Sequence, residues 1–255
     1  MHVERTDEEN AGHFELMNPK IRSELIPTGA LRVGVNLGNF LLVNRKADGT
    51  LHGVVPDLAQ ELAQRLGGVP VELVCSPGAG QVADGAKAGA WDVAFIGAEP
   101  QRAEEISFTL AYVEIPATYL VPAGSAIHSI DEVDKPGVRI ATAARSAYDL
   151  YLSRSLKHAQ LVRAEGIPAS YELFVKEKLD VLSGLLPRLT SDVARLPGAR
   201  ILEGKFTAIQ QAIGTPKSRA AAAAYLSEFV ADIKASGLVS SLIAKHGIKG
   251  VTAAA

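Results

Sequence analysis

Residues 91–112 read WDVAFIGAEPQRAEEISFTLAY, and the way this stretch divides decides the fold. Trp91 to Gly97 is a short apolar run of strand length, and Pro100 to Glu105 fits one or two helical turns. Upstream, Leu31 to Val35 and Val69 to Cys75 are further strands. Between those two, Gly53 to Gly67 carries Val55, Leu58, Leu62 and Leu66 at helical spacing opposite Gln60, Glu61, Gln64 and Arg65, with Pro56 in its first turn. Gln81 to Lys87 is a short helix. Strand, helix, strand, helix, strand is the order of a mostly parallel sheet.

Downstream, the turn-rich Val121 to Ser125 interrupts an extended stretch and the same rhythm restarts. Val138 to Thr142, Leu161 to Arg163 and Asp180 to Gly184 are predicted strands, alternating with helices over Ser146 to His158 and Tyr171 to Lys178. An extended segment, Phe206 to Ile213, then leads into helices over Ser218 to Ala235 and Val239 to His246. Two series predict two lobes, with extended joins near Tyr112 to Leu120 and Gly204 to Gln210.

Composition narrows the function. The chain has 255 residues, enough for a large core, and a formal charge of −2, which excludes a protein devoted to nucleic acid or an anionic membrane surface. Cys75 is the one cysteine, so an intrachain disulfide and a cysteine metal cluster are excluded. The six histidines are scattered without metal-ligand spacing, and neither a nucleophile elbow nor a phosphate loop with its lysine occurs. No cofactor and no metal are expected. Gly78, Gly80 and Ala83 satisfy a dinucleotide fingerprint, but Ser76 and Pro77 intervene after the strand, so the loop reads as one that only turns the chain. Trp91 reads as the cover of a strand end.

Residues 1–25 are expected to be an acidic, disordered leader: Glu4, Asp7, Glu8, Glu9 and Glu15 outnumber Arg5, and Met17 offers a second start. This segment lacks the basic start and apolar stretch of a secretory signal. As written the chain would be cytoplasmic; with a signal already removed it would be periplasmic.

The strand end at Gly97 brings a glycine, a helix N-terminus and Arg102 within a few residues. Free backbone N–H groups and a guanidinium together make an anion cradle. The competing reading pairs Arg102 with Glu99 or Glu105 on its own helical surface.

From about Gly29 to Gly250 the chain resembles the family 3 extracellular solute-binding proteins of ABC transporters. Its anchors are Leu31 to Val35, Asp48 Gly49 with Gly53 ahead of Pro56 Asp57 Leu58, Gly89 to Val93, PQRAEEISFTLAY (100–112) and ASGLVSSLIAKHG (235–247). The resemblance implies an α/β fold of the type II periplasmic-binding kind, a two-lobed clamp in which each lobe is a mostly parallel sheet flanked by helices. Lobe 1 would take residues 26–113 and 209–255, and lobe 2 residues 114–208. By position, Arg102 matches the arginine that holds an amino acid's carboxylate, beside Gly97, Ala98 and Glu99 at the strand end. Asn39 and Phe40 sit where the family places an aromatic wall, and Arg145 and Ser146 occupy the Gly-Thr position at a helix start in the second lobe. Three departures matter: Glu99 replaces a threonine, Arg145 a glycine, and Leu185 the aspartate that holds an α-ammonium. Arg145 is left between three roles: facing the ligand, pointing to solvent, or pairing with Asp149.

An ammonium left without that acceptor forfeits about 1.5 to 3 kcal/mol. The expected ligand is therefore a small anionic metabolite, a carboxylate rather than a standard α-amino acid, captured by a monomer that serves a transporter permease if exported. The alternative is an enzyme on the same clamp, dehydratase or isomerase-like, with Glu99 as general acid or base.

Overall fold

The computed structural model describes residues 18–255. The first described element lies inside the segment expected to be a disordered leader: helix α1 (Pro19–Leu25) is capped by the Asn18 side chain, which accepts from the Lys20 N–H. Leu25 is fully buried, so the expectation fails for these residues. The capping asparagine followed by proline is a helix start that the acidic bias of the preceding residues obscured. The rest of the expected leader lies outside the described residues.

β1 (Leu31–Asn36) lies between β4 (Val71–Ser76) and β5 (Val93–Gly97), parallel to both. Helix α2 (Val54–Arg65) crosses from the small β2–β3 hairpin (Asn44–Arg45, Leu51–His52) to β4, burying Val54, Val55, Leu58, Ala59, Leu62 and Ala63. Its preceding Gly53 has φ +133°, and a Cβ there would run into the Leu42 carbonyl, so the entry to this helix requires glycine. Helix α3 (Ala79–Ala88) joins β4 to β5. Asp92, wholly buried, ties these elements together: it accepts from Arg32 of β1 (2.7 and 3.0 Å) and from Arg219 (2.7 Å). Trp91 covers the strand end as expected, its indole N–H donating to the Val82 carbonyl of α3 at 2.8 Å.

The second parallel set is β8 (Arg139–Ala143) between β9 (Gln160–Ala164) and β10 (Val181–Leu185). Helices α4 (Ala147–Ser155), α5 (Ile167–Lys176) and α6 (Leu186–Val193) belong to it. α5 starts four residues earlier than its apolar spacing predicts, because Pro168 suits a first helical turn. α6 was not predicted.

Two long strands run between the sets. β7 (Val113–Val121) pairs antiparallel with β12 (Thr207–Pro216) through Val113–Ala117 and with β10 through Ala117–Leu120. β12 in turn pairs with β5 through Gln211–Gly214. The order β4-β1-β5-β12-β7-β10-β8-β9 makes one curled sheet, extended by β6 (Ile106–Phe108), β11 (Arg200–Ile201) and β13 (Thr252–Ala253). α7 (Ala220–Ala235) and α8 (Leu238–Lys245) follow β12, and their Leu226, Phe229, Val230, Ile233 and Val239 join the core of the first set. The second set has separate cores, around Tyr119, Val121 and Ile140 and around Tyr171, Phe174 and Leu182. The molecule is a two-lobed α/β clamp in which β7 and β12 are the crossing strands.

Candidate functional site

A cavity of about 60 Å³ lies between the lobes where the parallel strands of both end. The carboxyl ends of parallel strands, each leading into a helix, are where an open α/β sheet leaves room for a ligand. From the first lobe come Asn36 at the end of β1 with Gly38 and Asn39 beyond it, Gly78 and Ala79 at the start of α3, and Gly97 at the end of β5 with Arg102 beyond it. The second lobe supplies Ala143 to Tyr148 without Arg145, Gly166 and Ile167 at the start of α5, and Leu185. Ile209 and Gln211 of β12 form the floor.

Arg102 is the one charged residue among these lining residues. It is 5% exposed, follows β5 in a short 3₁₀ turn (Arg102–Glu104), and reaches back so that Nη1 donates to the Gly97 carbonyl at 2.6 Å. Nη2 donates at 2.9 Å to the carbonyl of Arg145 in the other lobe. Burial holds its pKa down to about 10, partly offset by the Glu99 charge. A guanidinium has five N–H donors, and those beyond the two carbonyl contacts can grip a carboxylate. Helix α4 adds an N-terminus: Ser146 caps it, accepting from the Asp149 N–H at 3.1 Å. Tyr148, raised above its ordinary pKa chiefly by burial, stays an O–H donor.

Of the residues expected to meet ligand, Asn39, Gly97, Arg102, Ser146 and Leu185 come together here, whereas Phe40, Ala98, Glu99 and Arg145 do not line the cavity. Arg145 departs from all three expectations. Its guanidinium forms a double ion pair with Asp84 of α3 (2.6 and 2.9 Å) and donates to the Gly80 carbonyl at 3.1 Å, across the cleft. Only its backbone N–H reaches Asp149, at 2.8 Å. Its φ of 57° explains why the family pattern has glycine there; an arginine in the left-handed region costs about 1 to 2 kcal/mol, which the pair with Asp84 and the bond to Asp149 offset. Glu99 is buried and pairs with Arg154 of α4, again across the cleft. Its carboxylate is thereby engaged with an arginine, and neither of the two lines the cavity. Phe40 lies under the Arg188 guanidinium, 5.8 Å from it, and lines a second interlobe cavity of about 620 Å³ with His52, Thr190 and His246.

A side chain at Gly97 would crowd its neighbours. A Cβ there would stand 2.9 Å from Ile209 Cγ2 and 3.0 Å from Ala147 Cβ of the facing lobe. Sequence reading missed the starts of α3 and α5 and the β12 floor. The signal was present in the repeated switch from strand to helix and in alternate residues of the extended stretch, but which switches face each other is set by the crossing strands.

No curated protein sequence matches the chain significantly. Solved structures do. ArgBP from T. maritima in its holo form has a TM-score of 0.69 at 18% identity, covering 83% of this chain and 93% of that one. The solute receptor for L-cysteine of Neisseria gonorrhoeae has a TM-score of 0.74 at 18% identity, covering 89% and 92%. The ancestral amino acid-binding protein AncCDT-1, described as a precursor of cyclohexadienyl dehydratase, has 0.72 at 21% identity, covering 88% and 97%. At these identities the likeness speaks for the fold. The model of the bacterial extracellular solute-binding proteins, family 3, matches residues 31–249, nearly all of the described chain, and the chain belongs to that family.

Proposed function

We propose that this solute-binding protein is a monomeric receptor of an ABC-type importer, working outside the cytoplasmic membrane and closing on a small carboxylate that carries no α-ammonium. The observation that carries this reading is the charge of the cavity: one buried guanidinium, no carboxylate among the lining residues, and the apolar Leu185 where an ammonium would need an acid. A zwitterion placed here would bring an ammonium beside Arg102 with no counter-ion, whereas an anion neutralises the site. The lobe boundaries we assign, 113/114 and 208/209, lie on β7 and β12 where both strands cross. Clamping by two lobes would couple ligand capture to a shift of an open–closed equilibrium.

The reading is tested by calorimetric titration of short mono- and dicarboxylates against standard L-amino acids, with each binder incubated and inspected for turnover. Carboxylates without an ammonium should bind and emerge unchanged. Tight binding of an ordinary amino acid, with carboxylates inert, would overturn it.

A further inference from the structure

Two of the positions at which the chain departs from the family pattern, Glu99 and Arg145, are each one half of an ion pair that crosses from one lobe to the other. The Arg145 guanidinium, just ahead of α4, meets both oxygens of Asp84 on α3 (2.6 and 2.9 Å) and donates to the Gly80 carbonyl one turn earlier (3.1 Å). Glu99, beyond the end of β5, pairs with Arg154 in the last turn of α4. A third contact joins the same segments, Arg102 Nη2 donating to the Arg145 carbonyl at 2.9 Å.

The contact at Arg145 is prepared on both sides of the cleft. On its own lobe, the left-handed backbone at φ 57° is held by Asp149, a 2% exposed residue that accepts the Arg145 N–H at 2.8 Å and is itself tied to Arg163 at 3.0 Å. On the facing lobe, Gly80 leaves room for the arginine to cross: a Cβ there would stand 2.8 Å from Arg145 Cβ and 2.9 Å from its Cζ. An arginine that only met solvent would need neither arrangement.

We infer that these side chains form an ionic latch, which holds the two lobes together without a solute, so that a solute enters only when the latch opens. Both halves of every contact belong to the protein, so the closed arrangement is favoured whatever the cavity takes, a carboxylate or anything else. Asp84, Glu99, Arg145 and Arg154 do not line the cavity, which separates the latch from the groups placed to meet solute. Asp84 and Arg145 are both half exposed, whereas in the second pair Glu99 is buried and Arg154 half exposed, so both pairs are partly screened. Together they raise the ratio of closed to open molecules about 5- to 30-fold.

The test is X-ray scattering of the protein after unfolding in guanidinium chloride and refolding, which sheds any solute carried from the cell. Asp84→Ala/Glu99→Gln is treated in the same way; it removes the acid from each pair, leaves two half-exposed arginines that water can solvate, and keeps the cavity lining intact. Each curve is fitted as a mixture of the closed form and one with the lobes rotated apart about β7 and β12. The native protein should be mostly closed, and the ratio of closed to open should fall about 5- to 30-fold in the double variant. Should the double variant fail to fold, Asp84→Ala alone, at an exposed position, should lower the ratio about 2- to 5-fold. A refolded native protein that is mostly open would overturn the latch, and so would a folded variant as closed as the native protein.

Discussion

Replacing Arg102 with methionine separates a ligand anchor from a structural strut, because the two roles predict opposite combinations of stability and affinity. Methionine keeps the length of the side chain and removes the charge. In the native protein the guanidinium is 5% exposed, and desolvation draws its pKa down from the ordinary arginine value to about 10. For a base whose folded value is lowered, the charged form is penalised in the fold. The penalty is present in full below about pH 10 and is relieved as the pH climbs from there towards the unfolded value. At about 1.4 kcal/mol per pH unit it amounts to about 3 kcal/mol at neutral pH. Against this gain, Arg102→Met leaves the carbonyls of Gly97 and Arg145 without their donor, at about 1 to 3 kcal/mol each. The net lies between a gain of about 1 and a loss of about 3 kcal/mol, so the unliganded variant should melt between a few degrees above and about 10 °C below the native protein. Ligand affinity should behave differently, since removing one partner of a buried charged contact costs about 2 to 5 kcal/mol, a loss of about 30-fold to several thousandfold. Thermal unfolding with and without ligand, together with calorimetric titration, reads both quantities. Ligand affinity left unchanged by the substitution, whatever the melting point, would show that Arg102 is a strut and refute its assignment to the ligand.

Two further substitutions probe the same cavity. Leu185→Asp supplies the missing acid at the cavity wall, so L-alanine should gain about tenfold in affinity and a carboxylate without an ammonium should lose; alanine binding that stays as weak as in the native protein would count against the ammonium argument. Gly97→Ala places a methyl 2.9 Å from Ile209 Cγ2 and 3.0 Å from Ala147 Cβ of the facing lobe, so the liganded variant should keep the radius of gyration of an open form in X-ray scattering. Full closure and native affinity in that variant would mean that the lobes do not meet at Gly97 in solution.

The alternation of strands and helices was legible because each element carries its own period, and the structure places β1, β4, β5, β8, β9 and β10 within a few residues of the predicted runs. α6 was not, since its Pro187, Arg188, Thr190 and Ser191 give no apolar repeat and it is held by Leu189 against β10 together with an Arg188–Asp192 ion pair. Arg102 could be found because glycine, turn and arginine are adjacent in the chain. The partners of Arg145 and Glu99 could not: Asp84 is 61 residues from Arg145, and Arg154 is 55 from Glu99. A charge whose partner lies in another lobe looks free in sequence, so Glu99 and Arg145 both stood among the candidate ligand-binding residues, with only near neighbours in the chain as competing partners.

Their actual partners bear on how the small carboxylate proposed above would close a clamp of this size. A small ligand has a ceiling of about 1.5 kcal/mol per non-hydrogen atom and in practice delivers less. Whatever part of that is consumed in bringing the lobes together is subtracted from its apparent affinity, which falls in proportion to the population of the competent state. The Asp84–Arg145 pair joins two half-exposed side chains and contributes at most about 1 kcal/mol. Glu99 is 8% exposed in its pair with Arg154, so that contact lies nearer the upper end of the range for partly screened pairs. Together they favour the closed form by about 1 to 2 kcal/mol, a factor of about 5 to 30 in population, before any ligand arrives. The Arg102 contact with the Arg145 carbonyl spans the same two lobes, so on the proposed reading the residue that would grip the carboxylate would also hold the facing lobe. In a receptor for larger solutes, contacts from the solute's side chain would do this work. For the small carboxylate proposed, the protein's own charges would do it, and the cavity lining keeps one positive group for the acid.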